Sequence, residues 1–281
     1  MASDVPAAST GEAATPSVVP GQRLRLTVAY DGGAFRGWQS QVQGDAVQDH
    51  LEKALSAVCQ VRRVIVHGSG RTDAGVHALA QVAHADVPDR ARHTPERWAG
   101  AINARLPDGI RVLEVRFASD AFHARFSTTG KVYRYRLWNS QVLHPFERGR
   151  VWHRPGPLDL DLLRRLSQLY LGEHDFFPFS ANRGVPSVTT VRTIRRVTVR
   201  RQRELLTLEF EGSGFLYKMV RLLTGTLVRC AQGRADPDWI PRLLAGKAGK
   251  TSFAAPAEGL FLLRVLYGRK AAARLGSRDR G

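Results

Sequence analysis

The chain predicts an α+β fold, and three stretches carry that prediction. Arg23-Leu24-Arg25-Leu26-Thr27-Val28-Ala29-Tyr30 alternates apolar and polar residues, the pattern of a strand with one buried face. Val47, Leu51, Leu55 and Val58 recur at helical spacing, with Ala54 on the same face, so an amphipathic helix follows. Thr190 to Arg201 and Leu205 to Glu211 read as two antiparallel strands. Strands and helices are mixed in both halves. A chain of 281 residues can bury a substantial core, as one large domain or two of ordinary size.

In chain order, residues 1–21 are rich in Ala, Ser, Thr, Pro and Gly, and read as a disordered tail because they bury too little to offset their ordering entropy. They lack the basic start and apolar middle of a signal peptide. The first strand ends in the turn Asp31-Gly32-Gly33. Phe35 and Trp38 flank Arg36 and precede Gln39 and Gln41; the two rings can stack on bases or pack locally, and packing is the commoner fate. The helix over 47–58 is expected to carry Gln48 and Glu52 outward. Gln81 to Val87 reads as a strand. Thr94-Pro95 opens a second helix, with Thr as cap and Pro in the first turn, and Trp98, Ile102 and Leu106 mark its buried face. Ile110 to Val115 returns as a strand.

Lys131 to Trp138 is a further strand, in which Tyr133, Tyr135 and Leu137 point one way and Arg134, Arg136 and Trp138 the other. Residues 139–157 are turn-rich and form a loose boundary. It separates an N-terminal lobe over 22–140 from a C-terminal lobe over 141–268. Asp161 to Leu171 reads as a helix with Leu162, Leu163, Leu166 and Leu169 on its apolar side, ended by Gly172 to Phe176. Ser180 to Pro186 is a polar loop, in which Asn182-Arg183-Gly184 reads as linker rather than as an RNA contact. After the basic hairpin, Gly212-Ser213-Gly214-Phe215 breaks the pattern and a helix runs to about Cys230. There Lys218 and Arg221, three apart, share a neighbourhood. Glu258 to Val265 is the last strand, and residues 269–281 are a basic, mobile tail.

Composition narrows the partners. Hydrophobic residues at 43% and charged residues at 24% are ordinary for a globular chain, but a formal charge of +17 is not. It favours polyanions, nucleic acid first, because each phosphate met by Lys or Arg releases counterions. Arginine dominates the charge and suits bidentate phosphate contacts. Solvated arginines of a basic proteome are the alternative. Cys59 and Cys230 are far apart, which gives neither a disulfide framework nor a Cys-x-x-Cys site and fits a reducing, cytoplasmic setting. The nine histidines include no His-Glu-x-x-His pair, so no metal site is evident, and His77, His84 and His123 read as packed or hydrogen-bonded. No apolar run reaches the ~18 residues of a membrane span.

The densest chemistry lies in Gly68-Ser69-Gly70-Arg71-Thr72-Asp73-Ala74-Gly75-Val76-His77, directly after the apolar run Val64-Ile65-Val66. Its glycines permit angles closed to other residues. Asp73 sits two residues from Arg71, and an adjacent positive charge favours an ionised carboxylate, a nucleophile rather than an acid. Most such pairs are solvated surface. The glycine spacing fits neither a dinucleotide fingerprint nor a phosphate loop.

The ungapped string Gly70-Arg71-Thr72-Asp73-Ala74-Gly75-Val76-His77-Ala78 closely resembles the signature of the tRNA pseudouridine synthase A family. Tyr30-Asp31-Gly32, Gly37-Trp38-Gln39 and Val47-Gln48 resemble its opening block, with Gly33 where a threonine or serine is expected. Phe122-His123-Ala124-Arg125-Phe126-Ser127 and Phe215 to Arg221 match further blocks, so the resemblance runs from about residue 23 to 268. It implies the pseudouridine synthase fold: two α/β lobes around a central, mostly antiparallel sheet with a basic cleft. It also implies an isomerase that needs no cofactor, acting on the anticodon stem-loop of tRNA as a homodimer. By that resemblance Asp73 is the nucleophile, Tyr133 the active-site tyrosine, Arg221 the arginine that approaches the aspartate, and Arg71 a catalytic arginine at the cleft. Tyr133, Lys218, Arg125 and His123 are then candidate substrate contacts. Attack on the ribose C1′, attack on the base C6 and a glycal route all stay open for Asp73. Two other classes compete: a non-catalytic RNA-binding protein, and a glycoside hydrolase, which needs a second carboxylate near Asp73. Glu52 and Asp86 are near it in sequence only.

Overall fold

The computed structural model describes residues 21–42, 44–88, 93–181 and 189–268. The two terminal tails and the Asn182-Arg183-Gly184 segment expected from sequence lie outside those residues, except Gly21.

The N-terminal stretch follows the hydrophobic pattern closely. Strand β1 (Gln22–Tyr30) buries Leu24, Leu26, Val28 and Tyr30 on one face. Helix α1 (Val47–Cys59) buries Val47, Leu51, Ala54 and Leu55, begins where Asp49 accepts a hydrogen bond from the Ala46 amide, and stops at Gln60 in the left-handed region. Short β2 (Val66–Gly68) leads into the Asp73 loop, and β3 (His77–Val87) leaves it. Helix α2 (Pro95–Asn103) is capped by the Thr94 side chain, and β4 (Ile110–Ala118) follows. Phe35 and Trp38 are buried, so their rings pack locally.

Gln48 and Glu52 do not face outward; both are buried. Their polar atoms meet the start of β2: Gln48 donates to the Val66 carbonyl at 3.0 Å, and Glu52 accepts from the Val66 amide at 3.2 Å and from Gln48 at 2.9 Å. A short strand with an unpaired edge needs such partners, and a polar pair on α1 supplies them.

Strand β5 (Thr128–Trp138) buries Tyr133, Tyr135 and Leu137 on one face as the alternation requires. Two-residue β6 (Trp152–His153) pairs with its end. Helix α3 (Leu160–Gln168), capped by Asp159, ends before Leu169, which is exposed instead of lying on the apolar side. The stretch expected only to end that helix is itself a strand, β7 (Gly172–Asp175). The basic hairpin is β8 (Val191–Gln202) and β9 (Leu205–Gly212). Helix α4 (Met219–Ala231) is buried on nearly every side, and Gly225 lets the Phe253 carbonyl approach where a Cβ would sit 2.2 Å away. Helix α5 (Trp239–Leu244), not foreseen from sequence, and β10 (Leu260–Tyr267) complete the described chain.

The sheet runs β4-β1-β3-β10-β5-β9-β8-β7, with β2 added to β3 and β6 to β5. Every pairing is antiparallel except β10 with β3 and β6 with β5. Inserting β10 between β3 and β5 joins the segment after the Asp73 loop to the strand carrying Tyr133. Helix α2 packs on β4 and α1, and α3 on α4, so the helices share one apolar core with the sheet. Among the described residues, no helix is long and apolar enough to cross a membrane.

Candidate active site

Asp73 lies in the loop between β2 and β3, and each residue before it is fixed. The Ser69 amide donates to the Val82 carbonyl at 2.8 Å. Gln81, wholly buried, accepts from the Ser69 hydroxyl at 2.6 Å and donates to the Gly70 carbonyl at 3.0 Å. The Thr72 hydroxyl meets Tyr30 Oη at 2.8 Å, and the Thr72 carbonyl accepts from the Trp38 amide at 3.2 Å. That approach needs Gly37, whose φ is +83° and whose Cβ would stand 2.6 Å from the Thr72 oxygen. The Val76 amide then turns back to the Asp73 carbonyl at 3.1 Å, with Gly75 at φ +79°.

The partner of the Asp73 carboxylate comes from α4. Arg221 Nη1 donates to Asp73 Oδ2 at 2.7 Å, and the two side chains are only 14% and 18% exposed. Arg221 is itself held by Ala255: its Nε donates to the Ala255 carbonyl at 2.7 Å, and the Ala255 amide donates to the Arg221 carbonyl at 3.0 Å. The same segment is tied to β5, where Tyr135 Oη donates to the Pro256 carbonyl at 2.8 Å. The sequence does not single out 253–257: Arg221 is held there by the backbone of Ala255 alone, while the Phe253 ring packs elsewhere, on Trp152 and under Arg229, so no side chain of the segment signals the role.

The arginine nearest in sequence is not the one that pairs. Arg71 is exposed, and its Nε donates to Gln39 Oε1 at 3.1 Å. Gln39 in turn donates to Gln48 at 2.7 Å, so a polar chain from α1 fixes the exposed Arg71 side chain two residues before Asp73. Nor do Lys218 and Arg221 form a helical pair. Lys218 precedes α4 in the left-handed region, at φ +59°, with its ammonium over the Tyr217 ring.

Tyr133 is buried on β5, edge-on to Phe215 with ring centroids 5.1 Å apart. Burial first, then Tyr30 and Asp73, push its phenol well above the ordinary value, so it is neutral at pH 7. Two residues along the same face, Lys131 donates its ammonium to the Ser69 carbonyl at 2.9 Å, beside Gly70. Burial, with a smaller contribution from Arg125, pulls the Lys131 ammonium down to about 8. Its position was legible as a strand residue beside Tyr133, but not its contact with the loop.

His123 is drawn into a turn instead of toward Asp73. Its Nδ1 accepts from the amides of Arg125 at 3.1 Å and Phe126 at 3.3 Å, while Arg125 stays exposed. His77 likewise accepts from the Gly32 amide, at 3.1 Å. Neither neighbouring carboxylate reaches Asp73: Glu52 binds Arg63 and Asp86 binds Arg23. An open cavity of about 560 Å³ lined by Trp138, His144 and Arg203 lies five residues further along β5 from Tyr133, apart from this constellation.

A carboxylate held by a guanidinium within electrostatic reach of a buried tyrosine, on a mixed sheet, is the arrangement expected of an enzyme of the pseudouridine synthase class. A family model described as tRNA pseudouridine synthase matches residues 26–127 and 166–268, which contain Asp73 and Arg221 and leave Tyr133 between them. tRNA pseudouridine synthase A of Akkermansia muciniphila is 44% identical over 256 residues, covering 87% of this chain and 95% of that one. Its counterpart in Maridesulfovibrio salexigens is 45% identical over 253 residues, covering 88% and 91%. The chain belongs to the tRNA pseudouridine synthase family, a family of isomerases, and has the α+β fold of that family. A chain of a solved Cbf5-Nop10-Gar1 complex aligns with 85% of this chain and 48% of its own length, at 9% identity and a TM-score of 0.37, too distant to bear on the site.

Proposed function

We propose that this protein isomerises uridine to pseudouridine in the anticodon stem-loop of tRNA, with Asp73 as nucleophile. The observation that carries the proposal is the Arg221–Asp73 contact of 2.7 Å beside buried Tyr133. In the reaction the N1–C1′ bond breaks, the uracil turns, C5 bonds to C1′, and the proton on C5 leaves while N1 gains one. Atoms balance without any change of oxidation state, so the residues need only bind, aim and move protons.

Each residue has a part in that sequence. The target base leaves its stack, at a cost of a few kcal/mol in enzymes that modify bases. Arg71, exposed two residues before Asp73, fills the space left behind and holds phosphate. Asp73 supplies the electron pair that stabilises the separated ribose or base. Arg221 keeps it aimed, and the fixed loop makes that aim cost no reorganisation during reaction. Tyr133 offers its ring to the turned uracil. Being neutral, its phenol takes the C5 proton only as it gives up its own to a base.

By the family resemblance the protein acts as a homodimer in the cytoplasm; light scattering in solution tests the dimer. The catalytic reading is tested with tRNA carrying tritium at uridine C5. Release of tritium with pseudouridine in the product supports it, tritium retained on bound RNA identifies a binding protein, and free uracil identifies a hydrolase.

A further inference from the structure

The turn after β4 presents an aromatic ring that the proposed chemistry does not use. Phe126 is 77% exposed, yet the turn beneath it is held by hydrogen bonds at several points. The Ser127 amide donates to the His123 carbonyl at 2.9 Å, and the Ser127 hydroxyl accepts from the His123 amide at 3.0 Å. The Ala124 amide donates to His84 Nδ1 at 3.2 Å, and the Ala124 carbonyl accepts from Tyr267 Oη at 2.7 Å. Behind the ring lie three histidine rings in contact one with the next. They do not form one flat pile: His123 lies tilted 4.3 Å from Phe126, His84 meets His123 edge-on at 4.5 Å, and His67 of β2 stacks on His84 at 5.0 Å. Burial first, then the neighbouring histidines and Arg23, hold His84 and His123 below the ordinary histidine value, so both are uncharged at neutral pH and pack against the turn as neutral rings.

The position and charge of this ring point to one occupant. Arg125 is exposed, with its guanidinium 5.7 Å from the Phe126 centroid. The turn lies beside the catalytic loop: the His123 ring is 5.8 Å from that of His67, two residues before Ser69, whose carbonyl accepts from the Lys131 ammonium. An exposed, pre-ordered aromatic beside an arginine, at the margin of a catalytic loop, has the make-up of a stacking platform for single-stranded nucleic acid, in which the ring takes the base and the cation the phosphate. We propose that Phe126 and Arg125 dock one unpaired nucleotide neighbouring the target uridine, its base stacked on Phe126 and its phosphate paired with Arg125. The proposal rests on the RNA-modifying reading above and gives that reading a second contact outside the catalytic group.

The test uses an anticodon stem-loop RNA at fixed salt, with affinity read by fluorescence anisotropy and turnover by pseudouridine formation. Phe126→Ala is expected to raise Kd and KM together by about 5- to 150-fold, the range for loss of one base–aromatic stack, and to leave kcat at saturating RNA within about twofold. Phe126→Trp is expected to restore both constants. An abasic sugar beside the target weakens wild-type binding, and Phe126→Ala adds no further loss on that RNA, because both changes remove one contact. An unchanged Kd, failure of tryptophan to restore it, or penalties that add on the abasic RNA would each overturn the proposal. So would a shift to monomer in Phe126→Ala with RNA affinity intact, which would assign the surface to a second copy of the chain. Absence of pseudouridine with the wild-type protein would instead sink the catalytic reading, and the two failures are told apart because affinity is measured without turnover.

Discussion

Arg221 and Asp73 stand 148 residues apart in the chain and 2.7 Å apart in space, one on the first turn of α4 and the other in the β2–β3 loop. The contact is shielded from water on both sides, and the guanidinium is clamped by Ala255 through two backbone groups. Pairing and clamping need different parts of one rigid fork. Arg221→Met is expected to lower kcat on the order of 10²-fold or more, as loss of a pre-positioned charge partner does. Arg221→Lys keeps the charge but cannot reach Asp73 and Ala255 together, so it should fall between the two. Steady-state turnover on tRNA checks both; equal activity of the lysine variant and the wild type would show that the clamp is unimportant.

Tyr133 separates stacking from proton transfer. Tyr133→Phe keeps the ring and removes the relay, so RNA affinity should stay within about threefold while kcat falls by roughly 10²- to 10⁴-fold, the range of general acid–base catalysis. Filter binding and single-turnover assays on the same RNA read the two effects. Full turnover with phenylalanine would remove Tyr133 from the proton path.

Gly37 tests how far the loop depends on close backbone approach. Gly37→Ala places a Cβ 2.6 Å from the Thr72 carbonyl at a φ of +83°, and the left-handed conformation alone costs about 1–3 kcal/mol outside glycine. Urea unfolding should show a loss of at least that size, with a drop in kcat because Thr72 adjoins Asp73. Stability equal to the wild type would mean that the loop yields without cost.

The buried histidine behind Phe126 gives a pH dependence of known sign. Burial, then His123, Arg23 and His67, pull His84 down to about 4 from an ordinary value of 6.5. Between those values the unfolded chain binds a proton that the folded chain does not. Stability therefore rises with pH across that window and is lost as pH falls from about 6.5 toward 4. His84→Asn keeps an acceptor for the Ala124 amide and does not titrate, so its urea midpoint should change less with pH over this window. Parallel profiles for the two proteins would contradict the assignment.

What the sequence made legible follows from which forces act locally. Alternation and helical spacing located β1, α1, α2, β5 and the β8–β9 hairpin, because burial of one face leaves a period in the residues. The signature around Asp73 was equally plain, since the loop needs its glycines in fixed places. Misreadings arose where a polar residue serves a distant backbone. Gln48 and Glu52 looked solvent-facing but satisfy β2, and Arg71 looked like the partner of Asp73 but joins Gln39. Strand β7 was missed because only pairing with β8, which is not adjacent in sequence, makes it a strand. The bracing of Arg221 by Ala255 leaves no trace in side-chain chemistry at all.

The central claim is that one carboxylate carries the isomerisation, and removing its charge while keeping its shape tests that most directly. Asp73→Asn, assayed with C5-tritiated tRNA beside an anisotropy titration of the same RNA, should release no tritium and form no pseudouridine, with Kd within about threefold of the wild type. Product formation by Asp73→Asn at the wild-type rate would contradict the account.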